Sequence, residues 1–270
     1  MFPHNLPSAL AVKSTAKACL KGEKLKAGIV AAAVVFAFYT VVFSVIGILQ
    51  LASDNFLLTL GILLITYVFV LHPLILGAIR YFWRLTDNAN DPPSEVFYFF
   101  TGFPQYKRAL KCILLMLFKV AVATFVCMLP YFIVTLLSNS WIYRFLGTEI
   151  PLWVTRLALV QAFLYVAGII AAILVSSRYY LFPAVVVMDE DMLLLEAVHI
   201  SVMLSGRTLG NYLGLIINLL PFVLLSFLVM PLLYTLPILL SCYAVHCRYA
   251  LVNYNLSLDF YNKSDYNFGL

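Results

Sequence analysis

Six apolar stretches, each close to the length needed to cross a bilayer, fill most of this chain. A span takes about 20 consecutive apolar residues. The stretches lie at about 27–50, 56–79, 111–137, 153–176, 209–229 and 231–247. The last two are separated at Pro231 and carry Pro221 and Pro237. One kinked span plus a re-entrant piece is an alternative there, but their combined length favours a tight hairpin. Charged residues make up only 11% of the chain, against roughly 25% in soluble domains. That gap excludes a water-soluble core, and a mean hydropathy of +0.99 agrees. The first run is span-length and has no small-residue cleavage site after it, so it reads as a retained helix rather than a secretory signal.

The distribution of charge orients the spans. With the amino terminus inside, one side receives Lys13, Lys17, Lys21, Lys24, Lys26, Arg80, Arg84, Lys107, Arg108, Lys111, Arg178, Arg207, Arg248 and Lys263. The other side receives only Arg144 and Arg156, and Lys119 falls inside the third stretch. Cytoplasmic segments carry the excess of Lys and Arg, so both termini are expected in the cytoplasm. A basic inner face suits anionic lipid headgroups, and nucleic acid is a poor partner. The five cysteines lack zinc-type spacing and are expected to be free thiols.

Three segments beside the membrane are amphipathic. Residues 8–26 carry Lys13, Lys17, Lys21 and Lys24 at helical steps, with Val12, Ala16, Cys19 and Leu20 on another face. A basic stripe beside an apolar one predicts a helix lying at the interface. After a polar loop, Pro92-Pro93-Ser94 starts an aromatic-rich helix from Val96 to about Phe103, where Phe97, Phe100 and Phe103 repeat every three residues. Asp189-Glu190-Asp191 opens a third helix running to about Gly206, with Met192, Leu193, Leu194, Ala197, Ile200 and Leu204 as its membrane side. Acidic residues at a helix start complement its dipole. The external loop from Ser138 to Trp153 carries two Trp residues that read as interface anchors.

These segments fit an internal repeat over 8–82, 94–180 and 190–256 of a single membrane domain, 1–270. Each amphipathic helix ends at a glycine (Gly22, Gly102, Gly206), where a left-handed backbone would turn the chain into the bilayer. Each pair of spans ends in Arg-Tyr: Arg80-Tyr81, Arg178-Tyr179 and Arg248-Tyr249. The simpler account is that Arg snorkels and Tyr anchors at any inner interface.

The run Arg178-Tyr179-x-Leu181-x-Pro183, then Asp189, then Glu196-Ala197-x-x-x-Ser201-x-x-Leu204-x-Gly206-Arg207 resembles a group of bacterial membrane proteins. One branch is an uncharacterised integral membrane family. Another is the membrane domain fused to some glycerophosphodiester phosphodiesterases. Ala16-Lys17-Ala18-x-Leu20-Lys21-Gly22 and Gly102-Phe103-x-x-Tyr106 are similar to the uncharacterised branch as well. The resemblance implies a membrane domain with no established chemistry of its own. The soluble phosphodiesterase barrel has no room in this chain.

Candidate chemistry is sparse. Asp189, Glu190, Asp191, Glu196 and His199 are the one acidic-plus-His cluster, and carboxylates and His can bind metal or move protons. The bland reading is a helix start with a polar face, and no metal or cofactor is expected. Ionisable residues inside spans are functional suspects, and here they reduce to Lys119, His72 and His246. No span carries a carboxylate at mid-depth, which counts against a proton pump. Ala27-Gly28-x-x-Ala31 and Gly168-x-x-Ala171-Ala172 read as close helix contacts.

The expected fold is an all-α membrane protein with six transmembrane helices as three hairpins, each preceded by an interfacial amphipathic helix. The expected function is non-enzymatic: organising lipid, or serving as the membrane partner of another protein, with a homo-oligomer also allowed. The alternatives are a transporter or permease subunit for a lipid or small apolar solute, drawing on Pro73, Pro130, Pro221 and Pro237, and a lipid-modifying enzyme using Asp189–His199. The residues singled out are Arg80, Arg178, Arg248, Asp189, Glu196, His199 and Arg207, with the lysine stripe Lys13, Lys17, Lys21 and Lys24.

Overall fold

The computed structural model describes residues 7–52, 56–87, 91–138, 157–225 and 229–266. Within these residues the secondary structure is helical throughout, with no strand. Six helical segments are long and apolar enough to cross a membrane: Lys24–Ser44, Leu60–Leu85, Phe103–Leu137, Leu159–Met188, Leu194–Leu225 and Pro231–Val252. The protein is therefore multi-pass in character. The external loop with its Trp residues, Arg144 and Arg156 lies outside the described residues.

The chain divides into two units: residues 1–113 with 181–270, and residues 114–180. In the first, helix α1 (Ala9–Leu20) starts at Ser8, whose hydroxyl accepts from the Ala11 N–H at 3.3 Å. That bond satisfies one of the free donors of the first turn. Val12, Ala16 and Leu20 follow at steps of four and are all buried. They pack in one cluster with Leu215, Leu219, Ile238 and Cys242. The apolar face of α1 is thus covered by protein, where the sequence suggested a face lying on lipid. The turn at Lys21–Glu23 is short, and α2 (Lys24–Ala52) resumes at once with Ala27 N–H donating to the Glu23 carbonyl at 2.9 Å.

Helix α3 (Phe56–Thr66) passes through a π segment (Tyr67–Leu71) into α4 (His72–Leu85). The widened turn has a local cause. Pro73 has no N–H, so the carbonyl four residues earlier, Phe69, loses its helical partner. Tyr106 donates its hydroxyl to that carbonyl at 2.9 Å. Val41 and Leu71 pack together with Ala37, Ile62 and Leu63. This antiparallel register sets the first turn of α2 level with the last turn of α4.

A 3-10 helix (Pro93–Phe100) then docks on α4. The expected helix is present as a 3-10 helix, and it stops at Phe100, short of Phe103. Three residues per turn put positions i and i+3 on one face. Val96 and Phe99 are buried on that geometry, and Phe97, Phe100 and Phe103 are exposed. Gly77 makes the docking possible: a Cβ there would overlap the Val96 carbonyl oxygen.

Helix α5 (Phe103–Leu137) begins in the first unit and continues through Pro130. In the second unit α6 (Leu157–Ser176) is followed by a 3-10 turn (Ser177–Tyr179). A Cβ at Gly168 would lie 2.7 Å from Met128 Sδ, the Tyr131 and Tyr165 ring centroids are 5.3 Å apart, and Gln161 donates to the Ser138 hydroxyl. These contacts run in antiparallel order.

Back in the first unit, α7 (Phe182–Met188) is almost wholly buried, through Phe182, Ala184, Val185, Val186 and Val187. Apolar residues at nearly every position make it a core element. Helix α8 (Leu194–Leu225) runs without interruption through Gly206 and Pro221. The expected break at Gly206 does not occur. None of the described glycines has a left-handed backbone, so Gly22 and Gly102 also act without the expected turn geometry. On α8 the buried residues include Ala197, Ile200 and Leu204, while Leu193, Leu195 and Met203 are exposed. The apolar face assigned to lipid is again largely internal.

Helix α9 (Val229–Tyr266) carries Pro231 in its first turn and continues through Pro237. It meets the end of the α2–α4 pair twice. Tyr234 and Ile238 share a cleft with Lys24 and Ala27, and Arg248 contacts Thr86. Fourteen residues separate Tyr234 from Arg248, about 21 Å of helix. Between these two points Ile238, Cys242, Ala244 and Val245 share a buried cluster with Ala27 and Val30 of α2 and with Leu74, Ala78, Tyr81 and Phe82 of α4. The second span window is 50% buried and the sixth 61%, against 11% for the third and fourth. The interior is built on α4 and α9.

Candidate functional site

The densest polar constellation gathers at the end of α4. Arg80, with a side chain 13% exposed, donates through Nε to Glu95 at 3.2 Å. Its Nη1 pairs with Glu190, and its guanidinium lies over the Tyr98 ring, 3.6 Å from the centroid. Tyr98 in turn donates its hydroxyl to the second Glu190 oxygen at 2.6 Å. One Arg thus joins three distant segments: α4, the 3-10 helix and the turn after α7. The planar fork of Arg suits this arrangement, since it can pair with two carboxylates and stack on a ring at once.

The surrounding charges extend the network. Arg84 reaches Asp91 at 2.7 Å and Glu95 at 3.6 Å. Arg108 donates to the Asp189 backbone carbonyl at 2.7 Å. The Asp189 carboxylate accepts from the N–H groups of Asp191 at 2.9 Å and Met192 at 3.1 Å. Arg248 pairs with Asp87 and donates to the Thr86 hydroxyl at 2.9 Å.

Burial pushes the Glu190 carboxyl upward. Hydrogen bonds from Tyr98 and Arg80, with the charges of Arg80 and Arg108, outweigh that and hold it below the ordinary carboxylate range. Burial and the bond to Glu190 raise the Tyr98 hydroxyl, against the opposing charge of Arg80. A carboxylate held this way is a weak base. The cluster clamps α4, the 3-10 helix and the turn after α7 together.

The residues singled out from sequence divide sharply. Arg80 is the centre of the cluster. Arg248 ties α9 to the end of α4. Asp189 shapes the turn through local backbone bonds. Glu196, His199 and Arg207 are exposed along α8. Arg178 belongs to the other unit, in an exposed 3-10 turn. Asp189, Glu196 and His199 do not form a ligand set: among the described residues no group of three or more His, Cys, Asp or Glu could hold a metal. Cys112, Cys242 and Cys247 are buried free thiols. In the lysine stripe, Lys13 Nζ lies 4.6 Å from the Phe222 ring centroid, and Lys17, Lys21 and Lys24 line a cleft against α9.

Sequence reasoning missed the partners: Glu95, Tyr98, Asp91 and Asp87. A signal was present. Arg80 and Arg84 stand four apart, and Asp87, Asp91 and Glu95 follow at the same step. Matched spacing of opposite charge, folded back on itself, is a docking pattern. Comparison with family models, with curated proteins and with solved structures finds no match.

Proposed function

We propose that this protein is a non-enzymatic multi-pass protein of a bacterial inner membrane, with both termini cytoplasmic, that organises lipid or acts as the membrane partner of another polypeptide. Its spans pair as three hairpins, each preceded by a segment at the interface. The observation that carries the reading is the uncovered apolar surface of the third and fourth span windows, each only 11% buried. Phe118, Phe125, Leu159 and Phe163 all project from it, exposed. An apolar surface of this extent needs lipid or protein against it. The engaged carboxylates of the Arg80 cluster support a structural rather than a catalytic role for that site. The resemblance of the Arg178–Arg207 run to an uncharacterised membrane family adds no chemistry to this.

The test is native mass spectrometry of the protein released gently from its own membrane. A stoichiometric second polypeptide, or a set of retained lipids, supports the reading. A bare monomer that carries neither, yet moves a solute when reconstituted in vesicles, would replace it with the transporter reading. One observation favours that second reading: the π segment Tyr67–Leu71 before Pro73, since such segments recur at functional sites. Pro130, Pro221 and Pro237 do not add to it, because their helices run on unbroken.

A further inference from the structure

A cleft of about 390 Å³ opens between the α1–α2 turn and α9. Lys17, Lys21 and Lys24 line one side of it, Tyr234, Pro237 and Ile238 the other, and Gly28 also contributes. We propose that this cleft binds the headgroup and upper acyl region of an anionic glycerophospholipid, with phosphatidylglycerol as the simplest occupant. The inference rests on the lipid-organising reading above and gives it a ligand and a place.

Three observations carry it. The first is unbalanced charge. Glu23, the one acid beside these lysines in sequence, is paired with Lys26 at 2.9 Å. Lys17, Lys21 and Lys24 are exposed, and none is in an ion pair among the described residues. Three ammonium groups on one cleft wall repel each other and favour an anion between them. The second is the apolar remainder of the lining. A free phosphate would gain nothing from Pro237, Ile238 or Leu233, whereas an amphiphile fills both parts. Leu25 and Ile29, 79% and 49% exposed, add apolar surface on the same first turns of α2. The third is depth. The first turn of α2 is level with the last turn of α4, which holds Arg84 and follows Arg80 by one turn, so the cleft opens towards the end of α4 that carries these arginines. At Gly28 a Cβ would meet nothing within 4 Å, so a long side chain placed there has open space of the cleft to fill.

The second basic cleft makes the contrast. It is lined by Lys107, Arg108 and Lys111, but Glu190 and Asp191 line it too. Its two carboxylates offset most of its three positive charges.

The test uses the full chain in a neutral detergent, titrated with dioleoyl phosphatidylglycerol, dioleoyl phosphatidylcholine or inorganic phosphate, with bound species counted by native mass spectrometry. The expected result is preferential binding of one phosphatidylglycerol. Lys17→Gln/Lys21→Gln/Lys24→Gln should weaken it at least about tenfold, from the loss of several near-surface cation contacts. Gly28→Leu, which fills the cleft with no change of charge, should weaken it comparably, and Lys107→Gln/Lys111→Gln should leave it unchanged. Equal loss in the Lys107/Lys111 variant would mean diffuse attraction and overturn the site. So would phosphatidylcholine binding as well, or phosphate alone displacing the lipid, which would make it a site for a free anion. Failure here leaves the broader reading standing if the native particle still carries a protein partner or other lipids.

Discussion

At the scale of single residues, the best-defined bond is Tyr106 to the Phe69 carbonyl. Pro73 removes the helical donor for that carbonyl, and Tyr106 replaces it at 2.9 Å. The bond lies at the protein surface, and where lipid rather than water covers that surface a carbonyl left without a partner costs about 1–3 kcal/mol. Tyr106→Phe should therefore lower the melting temperature of the purified protein. In a Pro73→Ala background the N–H returns, and the same substitution should cost much less. Equal costs in both backgrounds would remove this account of the π segment. Glu190 gives a pH-dependent counterpart. Its folded-state carboxyl titrates below the ordinary range, so its contribution is present above the unfolded value and lost as pH falls through the folded one. Its side chain is 46% exposed, which limits the effect of Glu190→Gln to about 1 kcal/mol. The difference in thermal stability between wild type and Glu190→Gln should be full above about pH 5 and shrink as the pH falls below the ordinary carboxylate range. A difference that stays constant over this range would mean the ion pair with Arg80 adds nothing.

At the scale of elements, the docking of the 3-10 helix on α4 depends on Gly77. Its missing side chain admits the Val96 backbone, which cannot give way as a flexible side chain would. Gly77→Ala should cost at least about 1–3 kcal/mol, the usual range for overpacking. Limited proteolysis around residues 91–102 should also speed up. Gly210→Ala is the control: nothing lies within 4 Å of a Cβ there, and replacing a mid-helix glycine should be neutral or stabilising by about 0.5–1 kcal/mol. The sequence suggested amphipathic segments at 8–26, 93–103 and 189–206, but not which partner each apolar face would meet. Periodicity fixes the angular position of a face and is blind to what covers it. Hence Val12, Ala16 and Leu20 read as membrane-facing and proved to be internal, as did Ala197, Ile200 and Leu204. The 3-10 helix was legible in retrospect, since Phe97, Phe100 and Phe103 repeat at three, its own period.

At the scale of the whole molecule, six apolar helices and a lopsided charge make a topological expectation. Reporters fused to either terminus should be active only where they require the cytoplasm, and a reporter that requires the external side should be silent at both. Activity of the external reporter at one terminus would mean an odd number of crossings. That outcome would bear most directly on α8 and α9, whose apolar length the sequence counts as two spans. The sequence by itself determined the class of this protein. Apolar length, scarce charge and the Lys and Arg bias are properties of consecutive residues, and the bilayer acts on them segment by segment. Only the tertiary structure decided that Arg80 binds Glu95, Glu190 and Tyr98, that α7 is core, and that Lys17, Lys21 and Lys24 face α9 across a cleft. Those contacts join residues far apart along the chain, and their energy depends on distance and burial, which exist only once the helices have packed.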